Sequence, residues 1–188
     1  CKLVPTRTDE ELLILHQNNR LVAIIAIHVD DLKCTGELEV IKSIVQHLEA
    51  TFGNLILLWN NFTNCGVRHV QCTRTHTITL DQHEYCKALK PITHPTVKAA
   101  HKDNIVSQDL FEQFRSLRGA VAYTQLTRTD IAVYVVYLQR QTEQTTNYRH
   151  IRMLNVLVLR LQDAPQVLRY EHLGSDTKFL VITDSAFK

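Results

Sequence analysis

Two adjacent carboxylates, Asp30 and Asp31, follow directly on the apolar run LVAIIAIHV at residues 21–29. Like charges a few ångströms apart repel unless a cation sits between them, and carboxylate oxygens are the hard ligands that suit Mg²⁺. In two-metal phosphoryl transfer, one ion activates the attacking hydroxyl and the other steadies the leaving oxygens. Strand alternation sends neighbouring side chains to opposite faces, but a turn relaxes that rule. One carboxylate can then meet a metal directly while its neighbour acts more weakly. The competing reading is a solvated turn that caps the helix beginning near Glu37.

Two further sets of residues have metal or phosphate chemistry. Cys65, His69 and Cys72, with His83 and Cys86 further on, are zinc-capable types. Zinc sites use closely paired ligands that converge. These alternate along an expected strand and need not meet, so buried or edge thiols are the expectation. Arg68, Arg74, Arg115, Arg118, Arg128, Arg140, Arg149, Arg152, Arg160 and Arg169 are spread through the second half. They are either phosphate contacts that read no sequence or solvated helix faces. No nucleophile elbow supports a Ser/His/Asp hydrolase. Trp59 and the phenylalanines are expected in the core.

The elements that must carry these groups follow from periodicity. Apolar runs at residues 12–16 and 21–29, separated by Gln17-Asn18-Asn19-Arg20, predict a hairpin. The second run is apolar on both faces, which predicts a central strand covered on both sides. A short third strand ends at Thr35-Gly36. Val40, Ile41, Ile44, Val45, Leu48 and Phe52 have helical spacing, and Gly53 suits a C-terminal cap. Residues 55–59 form a possible short strand. Residues 66–75 and 76–80 predict a second hairpin, residues 81–89 a short helix, and residues 92–104 a linker. Helices follow, capped by Ser107, by Thr127 or Thr129, and by Thr146. Strands are expected at residues 167–172 and 178–183.

Composition bounds the function. The chain has 188 residues, 45% hydrophobic and 21% charged, which excludes intrinsic disorder. No apolar run approaches the ~18 residues of a membrane span, and no leader-like segment opens the chain. A net charge of +2 excludes a polybasic tail but leaves room for local basic patches. Five glycines argue against Gly-rich phosphate-binding folds. Five cysteines at irregular spacing suit free thiols in a reducing, intracellular compartment. The chain opens on Cys1 and stops at Lys188 inside an expected strand, so it reads as a piece of a longer protein.

With these residues in view, a resemblance emerges. LVAIIAIHVDDLKCTG, residues 21–36, resembles the catalytic hairpin of reverse transcriptases of copia-type retrotransposons, in which a hydrophobic strand leads into Tyr-Val-Asp-Asp and a second strand. GVRHVQCTRTHTITLDQHEYCKALK, residues 66–90, resembles the hairpin and helix after the palm core. FRSLRGAVAYTQLTRTDIAVYVVYL, residues 114–138, resembles the family's Leu-Thr-Arg-Pro-Asp-Ile segment, and KFLVITDSAF, residues 178–187, the first strand of its ribonuclease H domain. The resemblance covers most of residues 12–188.

It implies an α+β fold. Residues 1–92 would be the C-terminal part of the palm, an antiparallel sheet with a packed helix. Residues 93–176 would form a helical thumb and connection, and residues 177–188 the beginning of a ribonuclease H-like domain. It implies RNA-directed DNA polymerase chemistry with Mg²⁺ or Mn²⁺, Asp30 and Asp31 as catalytic metal ligands, and Asp184 as the first ribonuclease H carboxylate. Implied partners are an RNA or DNA template–primer, a deoxynucleoside triphosphate and other segments of the Pol polyprotein, in a cytoplasmic virus-like particle or the nucleus and away from membranes. His28 stands where the family has Tyr and can still stack or donate at a primer end. Lys33 stands where an apolar residue is usual and can reach phosphate. Thr129 replaces a Pro, which costs only a preset φ.

The family's third palm carboxylate lies on an earlier strand, and nothing before Asp30 matches it. Asp9, Glu10 and Glu11 lack that context. The expectation is a chain that does not polymerise DNA alone. The alternative is a decayed or domesticated retroelement remnant, acting as a structural or nucleic-acid-binding domain.

Overall fold

Asn18 and Asn19 both take positive φ, 50° and 62°, a conformation that Asn tolerates better than most residues. They form the tight turn between β2 (Leu12–Gln17) and β3 (Arg20–His28), with Gln17 directly opposite Arg20. The computed structural model describes residues 2–174. It divides into two compact units, Cys1–Leu57 and Leu58–Lys188, each built around its own sheet. The architecture is mixed α+β with antiparallel pairing throughout, as expected. Asp184 and the strand expected at residues 178–183 lie outside the described residues.

In the first unit, β1 (Val4–Pro5) pairs with β2, and β4 (Asp31–Gly36) pairs with β3, giving the order β1-β2-β3-β4. β3 is therefore central. Gly36 ends β4 against it. A Cβ at Gly36 would lie 2.3 Å from the Val22 carbonyl oxygen, so only glycine permits this approach. The helix α1 (Leu38–Phe52) follows and ends at Gly53, whose N–H donates to Glu49 O at 2.9 Å. Ile41 is its one buried residue. It packs with Leu15, Val22 and Ala23, and the half-buried Cys34, Val40, Ile44 and Val45 complete the cluster.

Two expectations are corrected here. β3 is not covered on both sides within its unit. By alternation, Ala23 and Ile25 share the helix-covered face with Leu15 and Cys34, while on the other face Val22 is buried but Leu12, Ile14, Ile24 and Ala26 remain half-exposed. The Asp30–Asp31 pair does not cap α1 either, because all of β4 intervenes and Glu37 holds the cap position without a side-chain bond.

Residues 53–59 form no strand, and Ile56 and Trp59 are exposed rather than in a core. The second unit begins with a strand the periodicity did not show, β5 (Asn61–Asn64). It joins β6 (Val67–Gln71) through Cys65-Gly66, both at positive φ. β7 (Ile78–Asp81) completes the expected hairpin, and β8 (Leu168–Tyr170) pairs with β7.

Six residues of α2 (His83–Ala88) and five of α3 (Pro95–Ala99) precede three longer helices: α4 (Gln108–Tyr123), α5 (Ala132–Gln139) and α6 (Tyr148–Asp163). Phe114, Ile131, Leu138, Ile151, Leu154 and Val158 have no exposed surface, and they define a core far larger than that of the first unit.

The expected linker at residues 92–104 is part of that core. Ile92 and Val97 are buried, and Asn155 on α6 clamps Ile92 by accepting from its N–H at 2.8 Å and donating to its carbonyl at 2.9 Å. Five residues of helix with one inward side chain are too short to show an apolar period. Asn147, not Thr146, caps α6. The Asn147 side chain accepts from His150 N, the His150 ring accepts from Asn147 N, and the buried Thr146 hydroxyl donates to Thr142 O instead.

Candidate carboxylate site at a hairpin apex

The β3–β4 register brings His28 opposite Asp31, leaving Val29 and Asp30 as a two-residue loop. Tight loops of this kind need a positive φ at the first position, where glycine is the usual choice. Here Val29 takes it, at φ 50° and 83% exposed. A β-branched residue in this region is strained. The sequence thus holds a poor turn residue immediately beside its acidic pair.

Asp30 sits in the loop and Asp31 opens β4, and both are exposed. By alternation Asp31 and Lys33 share a face, and their cross-strand partners His28 and Ala26 lie on that same face. The four residues singled out from the sequence in this hairpin, His28, Asp30, Asp31 and Lys33, are therefore gathered within one apex. Asp31 and Lys33 each also engage a neighbour.

A second acidic stretch reaches the same end of the sheet. The Ile27 N–H donates to Glu11 O at 2.9 Å, which lays residues 9–11 beside the last residues of β3. Asp9 is spent locally, because its Oδ1 accepts from Glu11 N at 2.9 Å. Sequence reasoning set these three residues aside because they fit no strand motif, and only the pairing with β3 reveals their position. Even so, among the described residues no three His, Cys, Asp or Glu side chains converge as a metal-binding group.

Two exposed carboxylates fit one loosely held Mg²⁺, an ion commonly bound by one or two carboxylates plus substrate phosphates and water. They do not by themselves fit a pair of ions.

The zinc-capable set does not converge. Cys65 is exposed in the β5–β6 turn, Cys86 is buried in α2, and His69 is buried on β6, where it stacks on Phe62 at 5.0 Å. Among the described residues, Cys72 is the one thiol made more acidic. Hydrogen bonding from Thr75, helped by the neighbouring Arg74, brings it down to about 7.

The arginine set divides on inspection. Arg128 is almost fully buried and makes a two-pronged bond to Asp130, at 2.8 and 3.0 Å. That bond holds the Asp130 carboxyl below the usual range, with Arg160 adding to it at 3.5 Å. Thr127 donates to Gln82 at 3.0 Å, and Ile131 is fully buried. The Thr-Arg-Thr-Asp-Ile stretch, conspicuous as a motif, is thus a structural lock on the start of α5. Arg118 bonds the carbonyls of Leu138 and Gln141 at 3.1 and 3.0 Å, and Arg169 pairs with Glu171. A cleft of about 280 Å³ lined by Arg68, Asp81, His83, Glu84 and Lys87 likewise sets two cations, Arg68 and Lys87, against two carboxylates, with Lys87–Glu84 at 2.7 Å.

Among the described residues, no helix is long and apolar enough to cross a membrane. No family model, curated protein or solved structure matches the chain.

Proposed function

We propose that this chain is a segment of a retroelement Pol polyprotein whose first unit derives from the palm of a copia-type RNA-directed DNA polymerase. The observation that carries the reading is the placement of Asp30 and Asp31 together at the exposed apex of an antiparallel hairpin, with His28 and Lys33 beside them. A bound Mg²⁺ would supply charge neutralisation of nucleotide phosphates at that apex. Asp30 and Asp31 would hold it, His28 would present a ring or donor to a primer end, and Lys33 would meet phosphate. The substrates are then a template–primer and a deoxynucleoside triphosphate.

These residues alone do not polymerise. Among the described residues only two carboxylates stand at the apex, and metal placement supplies most of the electrostatic stabilisation in such chemistry. A primer-extension assay with Mg²⁺ or Mn²⁺ is expected to give no template-dependent product, and product formation would overturn this part of the reading.

The same incomplete donor set favours a second reading, a decayed or domesticated element retained as a nucleic-acid-binding domain. The flanking reading frame separates the two. An upstream strand motif with its own Asp and downstream ribonuclease H carboxylates support the enzyme. Stop codons in both flanks support the remnant.

A further inference from the structure

We propose that His150 is a proton-operated latch: its neutral ring holds residues 101–106 against the start of α6, and protonation of the ring lets that strap go. The inference lies wholly within the second unit and does not depend on the retroelement reading.

The strap has no helix of its own to hold it, and α6 supplies the bonds. Tyr148 N donates to Asn104 O at 3.2 Å and Arg149 N to Lys102 O at 2.9 Å. Val106 N donates in return to Thr146 O at 3.2 Å, and Ile105 bridges Asn147. Tyr148 and Arg149 open the helix, where backbone N–H groups have no partner inside it, so the strap satisfies them from outside. Every one of these bonds needs residues 146–149 in their present course. Asn147 is extended there, and the His150 ring fixes it in place.

The ring is only 3% exposed. Its Nδ1 accepts from Asn147 N at 3.1 Å, and its Nε2 lies 3.2 Å from the Tyr137 hydroxyl. The neutral ring therefore carries its proton on Nε2 and donates to Tyr137. A second proton leaves that contact intact and destroys the other, because Nδ1–H then faces the Asn147 N–H, donor against donor. The imidazolium would also be buried beside the positive end of α6. Departure of the ring relieves both conflicts, and it removes the bond that fixes Asn147.

The surrounding charges oppose the added proton too. Tyr137 is the titratable group that α5 brings to the ring. The strap carries His101, Lys102 and Asp103, all exposed, and α3 carries the exposed Lys98. On α4, Arg118 is held by the carbonyls of Leu138 and Gln141. The charge that acts on the ring is that of Arg149, and it adds to burial in lowering the ring's proton affinity. With the strap open, His150 regains an ordinary value near 6.5. The latch thus holds above about 6.5, and below it loosens by at most about tenfold per pH unit.

Hydrogen exchange of the full chain, read by NMR as protection factors at pH 7.5 and 5.5 with and without mild urea, tests this. Protection of the Val106, Tyr148 and Arg149 N–H groups is expected to fall several-fold, at most about tenfold, at the lower pH. The fall should depend little on urea, the mark of local opening, and should follow the titration of the His150 ring. His150→Gln should keep the strap protected at both pH values, since a Gln at this helix position accepts from the cap N–H without titrating. His101→Gln, which removes the strap's own histidine, should respond as wild type does.

A ring that titrates while the strap keeps its protection overturns the latch, and this comparison needs no variant. So does strap exchange that follows the α4 amides with the same urea dependence, which would mean unfolding of the whole unit. A pH response that survives His150→Gln, or that disappears in His101→Gln, overturns it as well.

Discussion

The two units spend their apolar residues differently. The second wraps α6 in a core with six side chains that have no exposed surface at all, while the first presses a single buried helix residue, Ile41, onto one face of its sheet. The acidic pair belongs to the thinner unit, at the tip of a hairpin where nothing is buried and a valine holds a strained turn. The second unit instead buries Arg128 of its conspicuous charged motif and uses the Arg128–Asp130 pair as a structural lock. Acidic residues that stand out in the sequence therefore end in an exposed apex in one unit and in a packing lock in the other.

Core substitutions sharpen this contrast most. Phe114→Ala should destabilise the second unit by about 3 to 5 kcal/mol in denaturant unfolding, because a fully buried ring leaves a cavity. Ile41→Ala should cost the first unit only about 2 kcal/mol, at the low end for such changes, since half-exposed neighbours can close in. Equal losses would break the contrast.

Next comes the lock. Arg128→Ala should cost about 3 kcal/mol, because it empties the space of an almost fully buried side chain and strips the exposed Asp130 of its main partner. The loss should appear in the transition that reports the second unit.

The cap of α6 adds a pH dependence. Burial pushes His150 below its ordinary value near 6.5, and its Nδ1 accepts from Asn147 N, so the neutral ring carries its proton on Nε2 towards Tyr137. The unfolded chain therefore binds the proton first. Stability from this group is complete above about 6.5 and is lost as pH falls from there towards the lower folded value. A stability profile between pH 7.5 and 5 should show that decline in the wild type and a shallower one in His150→Gln.

The smallest effect lies at the apex turn. Val29→Gly should raise stability by roughly 0.5 kcal/mol, relief of the left-handed strain outweighing the added chain entropy.

Much of this arrangement was legible from residue pattern. The β2–β3 hairpin, α1 and α6 showed because their apolar periods run over many residues. The doublet showed because two acids close a nearly unbroken apolar strand. β5 was missed because its residues are polar on the surface and its turn is Cys-Gly rather than Asn-Gly. The stretch around α3 looked like a linker because its burial depends on Asn155, which is sixty-three residues away. The position of residues 9–11 was invisible for the same reason, since long-range pairing with β3 places them and no local spacing encodes it.

The central claim is that Asp30 and Asp31 exist to hold a divalent cation. Titration of the full chain with Mn²⁺, followed by electron paramagnetic resonance, tests it directly. The account predicts one weak site per chain, lost in Asp30→Asn/Asp31→Asn and kept in Asp9→Asn/Glu10→Gln/Glu11→Gln. A site that survives loss of the doublet, or no bound ion in the wild type, would contradict it.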